Sequence, residues 1–286
     1  MRTLLLHLDS SPHPSAFDRI VALDGGADEV LSYGAVTEDA VRDLVHGAIF
    51  TRGPKDLHHT AIFIGGTEMA SGERLLAAVR AAFFGPMRVS IMLDSNGSNT
   101  TAVAAVAKLQ QAAGALAGRR AVVTAGTGPV GMRAAGLLAK GGADVVVTSR
   151  RAEGAFRAAE AIGQRFGAVV QAIAMPDAAF AASVLEGAEL LLSAGGAGIC
   201  LVPREAWAGR ALRAAADVNA VPPLGIEGIE VTDNGADRHG VTVFGALGVG
   251  NLKMKIHKAC IARLFERNDV VLDAETIADV AASLNT

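Results

Sequence analysis

The chain has little of several residue types that mark particular classes of protein. It has only two cysteines, Cys200 and Cys260, which is too few for a disulfide framework or a cysteine-based metal site. No run of about 18 uninterrupted apolar residues occurs, so we expect no membrane-spanning helix. The first residues lack the pattern of a secretory signal peptide. These absences predict a reduced cytoplasmic protein that holds no metal.

Aromatic residues and net charge are also scarce. The net charge is −3, so no global basic field attracts nucleic acid. Aromatic residues make up 4%, while hydrophobic residues make up 51% and charged residues 19%. The core must therefore consist mainly of Ala, Val, Leu and Ile. A chain of 286 residues can form two domains or one large domain.

Short apolar runs alternate with helical patterns along most of the chain, which is typical of α/β folds with parallel sheets. We predict an N-terminal parallel α/β domain over residues 1–110 and a Rossmann-type domain over residues 111–252, with helices from about 253 to 286 returning to the first domain. The predicted strands are 3–8, 60–64, 89–93, 121–124, 145–147, 169–173, 189–193, 214–218 and 241–244. The predicted helices outside the glycine motif are 15–23, 38–47, 68–84, 99–115, 247–267 and 274–284.

Residues 120–151 contain the most informative motif. An apolar run leads into a glycine turn, an alanine-rich helix pattern and a second apolar run. This is the context in which G-x-G-x-x-G marks a dinucleotide site. We expect Gly126 to permit the tight turn, Gly128 to admit the pyrophosphate and Gly131 to let the helix approach the strand. The candidate cofactor residues of the turn are Gly126, Thr127, Gly128, Pro129, Val130 and Gly131.

The residues after the second strand bear on the choice of cofactor. NAD enzymes usually place Asp or Glu here to bind the ribose 2′-hydroxyl. This chain has Thr148, Ser149, Arg150 and Arg151 instead, and guanidinium groups suit a 2′-phosphate. We interpret Ser149, Arg150 and Arg151 as an NADP site; the alternative is a plain βαβ unit with a solvated arginine pair.

Two later loops are further candidates for cofactor contact. Ala194 and Gly195 follow the strand 189–193 and would allow close approach of the cofactor. Asn219 lies in the segment DVNAVPPLG, which would come near the nicotinamide. A rigid turn in which Asp217 and Asn219 bond only to backbone is an equally good interpretation of that segment.

Eight small polar or glycine residues, DSNGSNTT, follow the strand 89–93. The carboxyl end of a parallel strand is where α/β proteins bind ligands, so Asp94, Asn96 and Ser98 are candidate substrate residues. An ordinary helix cap at Ser98 or Asn99 is the alternative.

The predicted helix 247–267 has apolar residues almost all round its circumference, which indicates that it is buried or wedged between domains. Lys253, Lys255 and His257 lie in its early turns. Cations near a helix amino terminus oppose the helix dipole, so we predict a role for them in the site, with Lys253 the strongest candidate.

Several longer segments together resemble the bacterial NADP-dependent methylene-tetrahydromethanopterin dehydrogenases, over nearly the whole chain. The most specific are the blocks DSNGSNTT and GTGPVGMR. The other matching segments are FDRIVALDGGAD, YGAVT, TRGPK, AIFIGG, ADVNAVPPLGIEGI and FGALGVGNLKMKIHKACIARLF.

The resemblance implies a cytoplasmic homo-oligomer, a trimer, with a pterin one-carbon carrier in a cleft between the two domains. It implies oxidation of methylene-tetrahydromethanopterin to the methenyl form by hydride transfer to NADP, in one-carbon and formaldehyde metabolism. Some members also accept methylene-tetrahydrofolate. It implies that Lys253 is the important site lysine and that Arg150, and less strictly Arg151, match the family's basic pair. No nucleic acid or membrane partner is implied.

Two other functions fit the residues without the resemblance. One is a two-domain NADP dehydrogenase of the shikimate dehydrogenase type, which would need a Lys–Asp pair in the first domain; Lys55 and Asp56 are the available pair. The other is a non-catalytic NADP(H) sensor, which would need neither the polar loop nor the basic helix.

Overall fold

The structure is a computed structural model that describes residues 1–284. The strands are β1 (Leu4–Asp9), β2 (Glu29–Tyr33), β3 (Thr60–Gly65), β4 (Ser90–Leu93), β5 (Arg120–Thr124), β6 (Asp144–Ser149), β7 (Gln171–Ala174), β8 (Leu190–Ser193), β9 (Ala214–Asp217), β10 (Asn234–Arg238), β11 (Val241–Phe244) and β12 (Val271–Leu272). The helices are α1 (Ala16–Asp24), α2 (Glu38–Ile49), α3 (Met69–Ala81), α4 (Ser98–Ala113), α5 (Pro129–Lys140), α6 (Ala152–Phe166), α7 (Ala181–Val184), α8 (Arg204–Trp207), α9 (Ala246–Leu264) and α10 (Ala274–Ser283).

The chain forms two compact units. The first contains Met1–Thr100 and Met254–Thr286, and the second contains Thr101–Lys253; the last two residues of the predicted C-terminal segment 253–286 lie outside the described residues. The first unit ends inside α4, whereas the predicted first domain extended to residue 110. Helix α9 from Met254 onward and helix α10 belong to the first unit.

A five-stranded sheet in the order β12-β4-β3-β1-β2 forms the first unit, and all of its strands are parallel. Leu6, Ile62 and Leu93 belong to the buried cluster on one face, with side chains of α2 and α3. Because side chains alternate between faces, His7 and its register partner Phe63 lie on the other face, where Phe63 stacks against His257 of α9.

The edge strand β2 is absent from the predicted elements. Val30 is its single buried residue, so the sequence carries no apolar run there. Strand β12 is also unpredicted. It has only two residues, which pair with β4, and so short a strand leaves no pattern in the sequence.

The second unit contains a seven-stranded sheet in the order β10-β11-β9-β8-β5-β6-β7. Its strands are parallel except β10, which pairs antiparallel with β11. Starting from β5, strands β6 and β7 extend the sheet in one direction, and strands β8, β9 and β11 extend it in the other. This is the order of a doubly wound nucleotide-binding fold, in which the strand order reverses between β5 and β8. The predicted α/β class, with a Rossmann-type unit, is therefore confirmed.

Most predicted elements are present with shifted ends. The predicted strand 169–173 is Gln171–Ala174, and the predicted helix 247–267 is Ala246–Leu264. Of the two alternatives for this helix, burial on all sides is wrong, and a position wedged between domains stays a prediction. Between Met254 and Leu264 its buried residues form one stripe, Ile256, His257, Cys260, Ile261 and Leu264, and its other side is exposed at Ala262 and Arg263.

Candidate functional site

The glycine turn between β5 and α5 is fastened to the end of β6. The backbone N–H of Gly126 donates to the carbonyl of Thr148 at 2.9 Å, and the N–H of Ala125 donates to the Thr148 hydroxyl at 3.2 Å. Helix α5 then begins at Pro129, a position where proline costs no hydrogen bond. Its first turn therefore faces the carboxyl edge of the sheet with its backbone N–H groups available to an anion.

The three glycines of the turn have different surroundings. A Cβ on Gly131 would lie 2.8 Å from the Cα of Gly126, which no real side chain tolerates. A Cβ on Gly128 would meet no described atom within 4 Å. Gly131 thus allows close packing, and Gly128 borders open space, as its predicted role toward a pyrophosphate requires. The left-handed residue of the turn is Ala125, with φ of 51°, rather than Gly126.

The residues predicted to select the cofactor converge on one pocket. Thr127 lines it from the glycine turn, and Ser149, Arg150 and Arg151 line it from the end of β6. Arg150 and Arg151 are exposed, so their guanidinium groups can reach a ligand.

Sequence reasoning missed the contribution of α6 to this pocket. Glu153, Gly154, Arg157 and Ala158 also line it, as does Met132 of α5, and Glu153 and Arg157 form an ion pair. The available signal was the spacing of four between an acid and an arginine, just after the basic pair.

The loop after β9 is organised by its own polar side chains. The Asp217 carboxylate is fully buried and accepts the N–H groups of Asn219, at 3.0 Å, and Ile226, at 2.8 Å. Burial raises the pKa of Asp217. The Asn219 amide donates to the carbonyl of Pro223 at 3.3 Å, and its oxygen accepts the N–H of Val221 at 2.9 Å. Asn219 therefore holds the loop, as the rigid-turn interpretation requires, and its contact with a cofactor stays a prediction.

The loop after β8 approaches β5. Ala194 donates its N–H to the carbonyl of Thr124 at 3.1 Å. A Cβ on Gly195 would lie 2.7 Å from a methyl group of Leu201. A larger residue here would require the Leu201 side chain to move.

In the first unit, Asp94 caps α4 from the polar loop. Its carboxylate accepts the N–H groups of Asn99 and Thr100 at 2.9 and 3.0 Å. The Asp94 carboxylate is fully buried, so it supports the loop and is not exposed at the protein surface. The capping interpretation is correct in kind, but the cap is Asp94 and not Ser98 or Asn99.

The other two predicted residues of this loop differ in exposure. Asn96 is exposed and left-handed, with φ of 54°, and its N–H donates to the carbonyl of Gly66 at 2.6 Å. Ser98 is buried, and its hydroxyl has no hydrogen-bond partner within residues 1–284. Asn96 is thus the residue of the three whose side chain is open to a ligand.

Histidine and carboxylate side chains lie together beneath α9 in the first unit. His257 Nδ1 is 3.9 Å from Asp94 Oδ2, and its ring stacks on Phe63. His7 contacts the same phenyl ring edge-on, and its Nε2 is 3.5 Å from Asp9 Oδ2. Burial lowers the pKa of His7, although Asp9 opposes the shift. Burial also raises the pKa of the Cys260 thiol, consistent with a core residue.

The basic residues of α9 do not lie where the dipole argument needs them. The helix begins at Ala246, so Lys253 and Lys255 come after its first turn, and the dipole effect fades beyond that turn. That argument for Lys253 is therefore wrong. Lys253 is half-buried, Lys255 is exposed and His257 is buried.

Sequence relatives decide the family. Residues 16–96 match the family model described as methylene-tetrahydromethanopterin dehydrogenase, N-terminal. The chain is 50% identical over 285 residues to the bifunctional protein MdtA of Methylorubrum extorquens, covering 99% of each chain. It is 34% identical over 282 residues to the NAD(P)-dependent methylenetetrahydromethanopterin dehydrogenase of the same organism, covering 94% of this chain and 93% of that protein. The chain belongs to the methylene-tetrahydromethanopterin dehydrogenase family.

Solved structures of more distant proteins share the fold of this methylene-tetrahydromethanopterin dehydrogenase family member. Shikimate 5-dehydrogenase from Listeria monocytogenes, solved with shikimate and NAD, has a TM-score of 0.60 at 12% identity, covering 100% of this chain and 96% of that one. Quinate dehydrogenase from Corynebacterium glutamicum, solved with NAD, has a TM-score of 0.54 at 15% identity, covering 99% and 100%. At such low identity these likenesses show the fold alone.

The Lys–Asp pair of the shikimate-type interpretation is badly placed for this family member. Lys55 and Asp56 belong to a short 3-10 helix, Pro54–His59, that ends where β3 begins. They therefore lie at the amino end of a parallel strand, opposite the edge where α/β proteins bind ligands.

Within residues 1–284, no helix is both long and apolar enough to cross a bilayer. No group of three or more His, Cys, Asp or Glu side chains is arranged to hold a metal ion among the same residues.

Proposed function

We propose that this protein oxidises methylene-tetrahydromethanopterin to the methenyl form by direct hydride transfer to NADP, in one-carbon and formaldehyde metabolism. The observation that carries the proposal is the 34% identity, over 94% of the chain, to a relative named as an NAD(P)-dependent methylenetetrahydromethanopterin dehydrogenase. The polar loop and the cofactor pocket that the sequence predicts both lie at carboxyl ends of parallel strands. We extend the proposal to methylene-tetrahydrofolate as a second substrate, because the two carriers share the ring that reacts.

The preference for NADP over NAD is supported by the pocket at the end of β6. Arg150 and Arg151 are exposed there, and no carboxylate occurs among residues 148–151. A guanidinium group can bind a 2′-phosphate bidentately, whereas it offers no such match to a 2′-hydroxyl. Thr127 and the N–H groups at the start of α5 would bind the pyrophosphate.

The chain needs few acid–base groups for this reaction. The nicotinamide, when bound, supplies the hydride acceptor. The two nitrogens that flank the methylene carbon stabilise the cation left behind, so the residues need only orient the two reactants. Productive transfer requires the reacting carbons to lie about 3–3.5 Å apart. We assign Lys253 to positioning the carrier or shaping the local field, and not to proton transfer.

The pterin carrier is expected at the polar loop of the first unit. Asn96 presents an exposed side chain, and Ser98 offers a buried hydroxyl without a described partner. We assign Asp94 to supporting that loop through its hydrogen bonds to α4. Lys255 and His257 remain predicted contacts, of which the exposed Lys255 is the more accessible.

We also propose that the protein is a cytoplasmic homo-oligomer, a trimer. The support is an apolar patch on α1 of the first unit, together with exposed apolar side chains on the edge strand β2. Phe17, Ile20 and Leu23 are exposed on α1, and Leu31 and Tyr33 are exposed on the edge strand β2. A charged or polar surface would be expected at a solvated sheet edge.

The deciding experiment is a spectrophotometric assay of NADPH formation with methylene-tetrahydromethanopterin, run beside methylene-tetrahydrofolate and beside NAD. We expect turnover with the methanopterin carrier and NADP, and the folate rate then gives the carrier preference. Binding of NADPH without turnover of either carrier would contradict the proposal and favour an NADP(H) sensor.

A further inference from the structure

The cofactor pocket contains an acidic side chain that conflicts with a 2′-phosphate. Glu153 lines the pocket together with Ser149, Arg150 and Arg151. A phosphate monoester carries nearly two negative charges near neutral pH, so a carboxylate beside it is unfavourable. A carboxylate in such a pocket is instead the group that binds the ribose 2′-hydroxyl of NAD.

Arg157 offsets the negative charge of Glu153. It is one helical turn beyond Glu153 on α6, lines the same pocket, and forms an ion pair with it. The acid precedes the base by four residues, which is the favourable orientation on a helix. The ion pair offsets the charge of the Glu153 carboxylate, and Arg157 adds a third guanidinium group to the pocket beside those of Arg150 and Arg151.

The position of α6 also has a steric requirement. A Cβ on Gly154 would lie 2.7 Å from the hydroxyl oxygen of Ser149. The first turn of α6 therefore lies against the end of β6. This packing keeps Glu153 and Arg157 beside the basic pair, inside the pocket and not on a distant helix surface.

We propose that Glu153 and Arg157 form a specificity element for the adenosine end of the cofactor: Arg157 binds the 2′-phosphate and at the same time neutralises Glu153. The inference rests on the proposed use of NADP. It goes beyond that proposal in stating that Glu153 and Arg157 act together. The pair is exposed, with side chains 70% and 75% accessible, so its contribution to folding is small and its effect should appear in ligand selectivity.

The test is a double-mutant cycle on cofactor binding by isothermal titration calorimetry. The proteins are the wild type, R157Q, E153Q and the double variant, and the ligands are NADP, NAD and adenosine 2′,5′-bisphosphate. The measured quantity is the ratio of the dissociation constants for NAD and NADP. We expect R157Q to lower this ratio about tenfold to a hundredfold, because one charged hydrogen bond is lost and a carboxylate is exposed. Weaker binding of adenosine 2′,5′-bisphosphate should accompany this change.

The other two variants test the coupling. E153Q should keep or raise the ratio, because it removes the repulsive charge. The double variant should recover part of the selectivity that R157Q loses. R165Q is the matched control, since it removes the same charge from the same helix, from a guanidinium that lies over Phe166, and it should leave the ratio unchanged.

The inference is overturned if R157Q retains the wild-type ratio, if E153Q lowers the ratio as R157Q does, or if the double variant is no more selective than R157Q. Thermal melting of each variant checks that the fold persists. A wild type that prefers NAD would contradict the proposed function, yet the coupling between the two residues would still be measurable in the same cycle.

Discussion

The carboxylate of Asp94 accepts a hydrogen bond from the Thr100 hydroxyl at 2.6 Å, in addition to the N–H groups of Asn99 and Thr100. One buried side chain therefore closes the polar loop and starts α4. The same carboxylate lies 3.9 Å from His257 of α9. A segment that reads as a ligand loop is thus also a structural support of the first unit.

Replacing Asp94 should separate the structural role of this loop from its ligand role. Asp94→Ala removes three hydrogen bonds to a buried carboxylate, so we expect the free energy of unfolding to fall by about 2 kcal/mol or more. Urea denaturation measures the loss. Asn96→Gly is the matched variant: glycine suits the φ of 54°, so stability should hold while the KM for the pterin carrier rises. An equal loss of stability in both variants would refute this division of roles.

The glycine turn offers a similar contrast. Gly131→Ala should destabilise the protein, because its Cβ would lie 2.8 Å from backbone of the same turn. Gly128→Ala should fold normally, since no described atom lies within 4 Å of the new Cβ, but it should weaken NADP binding by filling the space left for pyrophosphate. Thermal melting and calorimetric titration distinguish the two effects. Unchanged NADP affinity in Gly128→Ala would show that the pyrophosphate lies elsewhere.

Lys253 and Lys255 provide a test within one helix. We expect Lys253→Ala to lower kcat/KM about tenfold to a hundredfold, because misplacement of a reactant costs rate even without proton transfer. Lys255 is exposed, and Lys255→Ala should have a smaller effect, confined to KM. Steady-state kinetics at several pH values are needed, since a proton carrier would also change the shape of the pH profile. Wild-type kcat/KM in Lys253→Ala would eliminate the assignment.

His7 should make stability depend on pH. Burial lowers its pKa in the folded state, so the unfolded chain takes up the proton first as the pH falls below about 6.5. Unfolding then binds a proton, and stability decreases from that pH down to the folded pKa, by up to about 1.4 kcal/mol per pH unit. His7→Phe should flatten this part of the stability curve, measured by urea denaturation across the pH range. Asp9 and Arg19 also act on His7, so a slope that survives the substitution would assign the proton to another group.

The apolar patch on α1 predicts that the protein is an oligomer. Light scattering coupled to size exclusion should give a multiple of 29.1 kDa for the wild type. Ile20→Glu puts a charge into the patch and should reduce the mass to that of the monomer. Val169→Glu makes the same change, from an apolar side chain to a carboxylate, at another exposed site and should not reduce the mass. A monomeric wild type would remove the patch as an interface.

Patterns that are contiguous in the chain could be predicted well. The segment from β5 to β6 is recognisable in the sequence because a strand, a glycine turn and a helix follow one another. The strand and the helix each have their own spacing of apolar residues. Strand β2 was missed because an edge strand buries only Val30 and carries no apolar run. The boundaries of α9 were predicted closely, but its one-sided burial was not, since the apolar residues of the helix do not reveal which side the sheet covers.

The sequence by itself determined the family, the α/β class and the location of the glycine turn, because these depend on local pattern and on identity to relatives. Only the tertiary structure decided which polar groups meet. It placed His257 beside Asp94 although 163 positions separate them in the chain, and it stacked the same His257 of α9 on Phe63 of β3. The reason is physical: local periodicity fixes the face of each element, whereas long-range packing fixes which faces come together.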